Sequence, residues 1–429
     1  MPATTPNVGV RTFLDRTDKV PFLIADMSTI GGVFTPGTGI DRAKFPPDSP
    51  VHFNTNDLDM IAAAGTGTLK KTIDACVASG IVASIVAVVP DILPADTADQ
   101  QMAKMVGDAT SRTGAWALLS ASNETGAVPD ILIAPDFAHL RPGNAANPIV
   151  TAFDAICERL ITPVVVADTP SANKTVAIEW AADWADSLNI IAVGQGVRVS
   201  EGGLPVTRAA APYVAALIAK TDKEMGGPYY NPGNRPLTGI LGPSRAVECN
   251  YTDTDSEHNF LLQRGVNTIV QLEKNRTSRR VNSPQGKMFW GFFNTSNDPI
   301  WRLVNVVRTR KAIREVIPRT LVKYLGQNIG AHLAVVLRQS VLDFLGELAA
   351  LPEPAILHGY EVIWDRGLNS NAVMRVGGLV FNAYWEESPA LVDLQLYTGR
   401  REASFNILAA EIQAAMAQFR VTGQLGLSE

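Results

Sequence analysis

The chain has 429 residues, of which 46% are hydrophobic and 18% charged, with a formal net charge of −5. That is more chain than one core usually organises and too apolar for a largely disordered protein, so two or three globular domains are expected. Mild acidity argues against a chain-wide polyanion binder, and a mean hydropathy of +0.08 leaves three sources: a membrane span, a large core, or a subunit buried in an assembly.

The most apolar run, Ile81 to Pro90, is about half the ~20 residues a bilayer span needs, so no direct membrane insertion is expected. No charged segment followed by an apolar one opens the chain, and a secretory signal is not expected. Cys76, Cys157 and Cys249 lack CxxC spacing and fit reduced, buried thiols rather than a disulfide or zinc scaffold.

Along the chain, residues 7–14 read as a short extended segment. A strand candidate follows at 22–34, ended by Thr35-Pro36-Gly37, then a loop at 45–50 and a strand start at Val51. From there the chain alternates. Helical spacing at 68–79 is stopped by Gly80 and followed by an apolar strand at 81–89. Strands are expected at 131–134, 162–167 and 189–193, with helices at 148–160, 173–188 and 208–220 between or after them. This predicts a layered α/β core with a partly parallel sheet. After Met225 comes a long Gly/Pro/Asn loop, a short helix at 257–264, a strand at 266–272, the basic run Lys274 to Arg280, and a strand at 287–293. Helices are expected at 301–317, where Pro318 ends or kinks the chain, and at 331–351. Strands are expected at 372–384 and 391–398. The last segment, 403–419, fits a helix, with a strand at 404–408 as its alternative.

Motifs for chemistry are sparse. Gly65-Thr66-Gly67-Thr68-Leu69-Lys70 opens a helix but lacks the third glycine of a dinucleotide loop and the GK[ST] of a Walker loop. Gly194-Gln195-Gly196 follows a strand without a helix start. The five histidines show neither HExxH nor HxH spacing. Asp26 and Asp168 sit at or just past strand ends, where α/β enzymes keep acids, and His258 lies in an acidic cluster, but no constellation forms. No catalytic set, cofactor or metal is expected. Besides Lys274 to Arg280, a longer basic stretch runs from Trp301 to Lys323; on a helix Arg308, Lys311 and Arg319 share a side opposite Leu303, Val306, Ile313 and Ile317. Sparse aromatic interleaving favours an acidic protein surface over nucleic acid as its partner.

Several segments together resemble the tail sheath proteins of contractile phage tails and related injection machines, closest to the short P2-like type and the related tailocin sheaths. They are Met27 to Phe34, Phe45-Pro46, Ala64 to Leu69, Ile131 to Pro135, Asn231 to Asn234 with Thr238-Gly239-Ile240, and Asn259 to Thr268. Phe289-Trp290-Gly291 followed by Asp298-Pro299-Ile300-Trp301 and Asn305-Val306-Val307-Arg308 is the most specific. Asp136 and Phe292-Phe293 depart from the family's pattern. The resemblance spans roughly residues 20–400.

It implies a mixed α/β fold with a subtilisin-like layered middle domain that lacks the triad, a C-terminal α+β domain, and extended terminal arms. The boundaries expected are an arm at 1–22, a strand-rich part at 23–95, the middle domain at 96–285, a tube-facing domain at 286–402 and a second arm at 403–429. It further implies a non-enzymatic subunit that polymerises with itself as six-fold rings or helical strands around a tail tube. Baseplate and tail terminator would be further partners, with the tail assembled in the host bacterial cytoplasm. Arms of neighbouring subunits would add strands to one another's sheets, and Val8, Val10, Phe13, Phe405 and Ile407 are the arm residues expected to do so. Arg308, Lys311 and Arg319 are expected to face the tube. The alternative is an α/β enzyme with a site near Asp168 or the Gly194 loop; such an enzyme would have little use for strand-like ends.

Overall fold

The computed structural model describes residues 22, 27–250, 252–272 and 286–423, with side chains up to residue 418. The expected arm residues Val8, Val10 and Phe13, Asp26, and the basic run 274–280 lie outside the described residues.

The strands are, in chain order, β1 (Ile30–Val33), β2 (Val51–Asn54), β3 (Ser84–Val88), β4 (Ile131–Ile133), β5 (Val164–Asp168), β6 (Ile190–Val193), β7 (Val197–Glu201), β8 (Leu204–Arg208), β9 (Arg235–Pro236), β10 (Gly242–Pro243), β11 (Val266–Leu272), β12 (Gly286–Trp290), β13 (Glu361–Ile363) and β14 (Asn382–Tyr384). The helices are α1 (Leu58–Ala63), α2 (Thr68–Ala78), α3 (Ala98–Val106), α4 (Ala121–Thr125), α5 (Pro148–Leu160), α6 (Lys174–Ala182), α7 (Ala211–Met225), α8 (Glu257–Leu262), α9 (Val304–Leu321), α10 (Ala331–Ala349), α11 (Asn371–Arg375) and α12 (Ser404–Gly423).

One nine-stranded sheet organises the chain in the order β2-β3-β1-β4-β5-β6-β11-β12-β9. The run from β3 to β11 is parallel, and antiparallel strands close both sides. Parallel strands need both faces covered, which is why β4, β5 and β6 are buried throughout rather than alternating, and apolar but for Asp168 at the end of β5. Side-chain parity then sorts each strand between two cores. Ile131 and Ile133 join α2 and α7 on one face, while Leu132 joins α3, α5 and α6 on the other. A third core, under α9, α10 and β13, gathers Ile313, Val316, Phe344, Leu345, Ile356 and Phe22.

Local chemistry fixes the helix starts. Asn147 accepts from the amides of Ile149 and Val150, with Pro148 at the first helical position, and Asn173 caps α6 in the same way. Gly226 ends α7 with φ +77°, a left-handed position where a side chain is strained.

The nine-stranded sheet spans the expected boundaries at 95/96 and 285/286, because β1 joins β3 to β4 and β11 pairs with β12. The chain divides into Met1–Ala390 and Leu391–Glu429. Of the end or kink expected at Pro318, the end does not occur: α9 runs on to Leu321, although Pro318 has no N–H to give the Arg314 carbonyl. Residues 372–384 hold α11 and β14 rather than one strand, interrupted by Gly377, whose φ is +88°.

Candidate assembly surfaces

The positions most suggestive of chemistry are occupied by packing. Asp168 ends β5, buried, and one carboxylate oxygen accepts from the amides of Ala210 (2.8 Å) and Ala211 (3.0 Å). It therefore moors the start of α7 to the sheet. Burial lifts its carboxyl to about 7, against the pull of those two amides. In the Gly194 loop, the Gln195 side chain is wholly buried, donating to the carbonyls of Arg245 and Ile269 and accepting from the Ile269 amide. It links the loop to β11 and leaves no phosphate cradle. At the Gly65 loop, the Thr68 amide donates to the Thr35 hydroxyl. A Cβ on Gly67 would stand 2.0 Å from the Thr35 carbonyl oxygen, so this helix start is covered by chain.

His258 is buried, 2.8 Å from the Ser256 hydroxyl and edge-on to Trp290, and burial holds its pKa down. Burial raises the thiols of Cys76 and Cys157 to about 12. Among the described residues no cluster of three or more His, Cys, Asp or Glu side chains is arranged to hold a metal ion, and no helix is long and apolar enough to cross a membrane.

Helix α9 departs most from expectation. Arg308 is 1% exposed. Its guanidinium meets Asp222 of α7 with two bonds, at 2.8 and 2.6 Å, and also donates to the Met27 carbonyl at 3.2 Å. Lys311 is buried too, its ammonium on the Pro163 carbonyl and the Asn189 side chain. Burial pulls its pKa down. Neither residue belongs to a surface strip. The helical periodicity was right, but the side opposite Leu303 and Ile313 packs on the sheet domain instead of facing water. Arg310 completes the clasp, stacked 4.4 Å from the Trp385 ring and bonded to the buried Glu387. Among the expected tube-facing residues only Arg319 is exposed, paired with Glu315 one turn back. Arg314 and Lys323 are exposed near it, next to Val322 (57% exposed) and Leu325 (78%).

The segment from Leu391 to Arg400 forms no helix or strand and pairs with no strand among the described residues. Leu394 and Leu396 are about 80% exposed, and Leu391 and Tyr397 are also open. The alternative of a strand at 404–408 is overturned: Phe405 and Ile407 lie in α12, both exposed. β13 and β14 form a two-stranded sheet with no further strand on either side among the described residues.

Residues 110–278 match the phage tail sheath protein central domain. The chain is 27% identical over 393 residues to a protein of Pseudomonas aeruginosa (strain UCBPP-PA14) described as a prophage major tail sheath protein, covering 90% of this chain and 92% of that one. It is 24% identical to the tail sheath protein of Escherichia phage P2, over 69% of this chain and 72% of the other. Among solved structures, the contracted sheath of an extracellular contractile injection system (PVC) shares the fold with a TM-score of 0.65 at 13% identity, covering 92% of this chain and 99% of that one. The contracted helical sheath of the anti-feeding prophage does so at 0.64 and 16%, over 93% and 100%.

Proposed function

We infer that the chain is a structural subunit of a contractile sheath, polymerising with copies of itself into a wall that shortens to drive an inner tube forward. The observation that carries this reading is the open C-terminal segment. An alternating apolar run at Leu391–Tyr397 leaves its leucines in water, which a finished monomer avoids and an assembling one requires. Similarity to sheath proteins over nine-tenths of the chain supports it.

The assembly follows from strand chemistry. A two-stranded sheet is marginal alone, and β13–β14 gains by accepting strands at its edges. Residues 391–398 of a neighbouring copy have the alternation to add there, and at the other terminus Val8 and Val10 alternate, with Phe13 on the opposite parity. Backbone ladders tie copies together while each body turns as a unit. The buried Arg308–Asp222 and Lys311 contacts keep the body rigid, since α9 cannot slide on the sheet without stranding charge.

The tube contact must be breakable, because it is lost on contraction. Screened charge suits it, and Arg314 and Arg319 in the last turns of α9, with Lys323 just after it, replace the expected Arg308 and Lys311 in that role. This reading puts the subunit in the tail of a phage or phage-like particle assembled in the host cytoplasm. Baseplate, tail tube and tail terminator would be its other partners.

A chain shortened after Ala390 tests the reading. It is expected to keep the full-length thermal midpoint while failing to form polymers in sedimentation velocity. Polymers as long as those of the full chain would contradict it.

A further inference from the structure

Phe22 is 7% exposed, its ring stacked on Phe344 at 4.8 Å between centroids. Met27 is buried as well, its carbonyl accepting from Arg308. These two points fix where the chain enters the folded body. Beside Phe22 runs a groove of about 520 Å³ lined by Met225, Tyr229, Tyr230, Leu348 and Leu351, with Glu347 and Glu353 also in its wall. Both glutamates are exposed, and neither makes an ion pair among the described residues. Tyr229 is mostly enclosed, and burial pushes its phenol up.

The residues immediately before Phe22 are Arg16-Thr17-Asp18-Lys19-Val20-Pro21. We propose that this segment, from the same copy, lies along the groove, Val20 and Pro21 against Tyr229, Tyr230 and Leu351, with Arg16 and Lys19 meeting Glu347 and Glu353. Three arguments converge. The segment is joined by one peptide bond to a residue already in the groove wall, so its effective concentration exceeds that of any other copy. Pro21 fixes its own φ and holds Val20 extended, which lowers the entropy lost on docking. Two cations against one acid complement two unpaired carboxylates.

Given the sheath reading, on which this consequence rests, the N-terminal arm pivots near residue 15 rather than at 22. Residues 1–15 then remain for a neighbour, a reach of roughly 50 Å against about 75 Å for the whole segment.

Hydrogen exchange of the full-length subunit, diluted below any polymerisation, tests the docking without needing a sheath. Amides 17–20 are expected to exchange at least tenfold slower than an unstructured chain. Tyr230→Ala with Leu351→Ala should abolish that protection while β4 and β5 stay protected, and Glu347→Lys with Glu353→Lys should weaken it. Unprotected amides in the dilute subunit would overturn the proposal. So would protection that appears only on polymerisation, since the occupant would then be a neighbour's segment. Failure of the sheath reading would show separately, as absence of polymers with the protection intact.

Discussion

A guanidinium with 1% of its surface exposed persists only when its charge is answered on the spot. Arg308 is answered by both oxygens of Asp222 and by the Met27 carbonyl. Removing one partner leaves a buried charge alone, so Arg308→Leu is expected to cost about 3–5 kcal/mol in denaturant unfolding. Arg308→Leu with Asp222→Leu should recover part of the loss. A single-variant cost below about 1 kcal/mol would mean the pair does not hold α9. Asp168 makes a pH-dependent contribution of opposite kind. Its folded carboxyl titrates near 7, above the unfolded value of about 3.9. The folded state therefore keeps the proton, and this stability is full below about pH 4 and lost as pH rises through 7. Asp168→Asn keeps an oxygen for the Ala210 and Ala211 amides and cannot ionise. It should gain on the wild type by up to about 1.4 kcal/mol per pH unit across that window. Urea unfolding at pH 5 and pH 8 reads this; a difference independent of pH would contradict it.

At the scale of elements, the exposed end of α9 carries the tube-contact proposal. Reversing Arg314, Arg319 and Lys323 to glutamate is expected to weaken co-sedimentation with the tube protein at low salt, the difference from wild type shrinking as salt rises. Equal binding at every salt concentration would sink the assignment. The same helix shows what the sequence could and could not convey. Its period was legible, but which side met water was not, because the second partner of a helix lies far along the chain. Core elements bounded by strong signals were legible: α5 and α6 through Asn147 and Asn173, β4 to β6 through unbroken apolar runs. Three elements, α3, β7 and β8, were missed although their signals were present. Thr97 and Gln100 form the capping box of α3, and Gly202-Gly203, both at positive φ, make the tight turn joining β7 to β8. Residues 391–398 were read as a strand from alternation alone. Alternation says where side chains point, not whether a partner strand exists in the same chain, and here none does among the described residues.

For the whole molecule, the alternating order of elements made the layered α/β core legible. Domain edges were expected from the family resemblance, whereas the sheet is assembled by crossovers that carry β1 between β3 and β4. The one division found, after Ala390, is where the chain stops burying its apolar residues. On the proposed function, Met1–Ala390 is the body that turns as a unit, and the exposed apolar residues from Leu391 onward are those that meet another copy. Electron microscopy of the concentrated full-length subunit, alone and with its tail tube protein, tests this most directly. Hollow tubes or stacked rings with six-fold end views, wide enough to enclose a tube, are the predicted result. Particles that stay single even with the tube present would contradict the account.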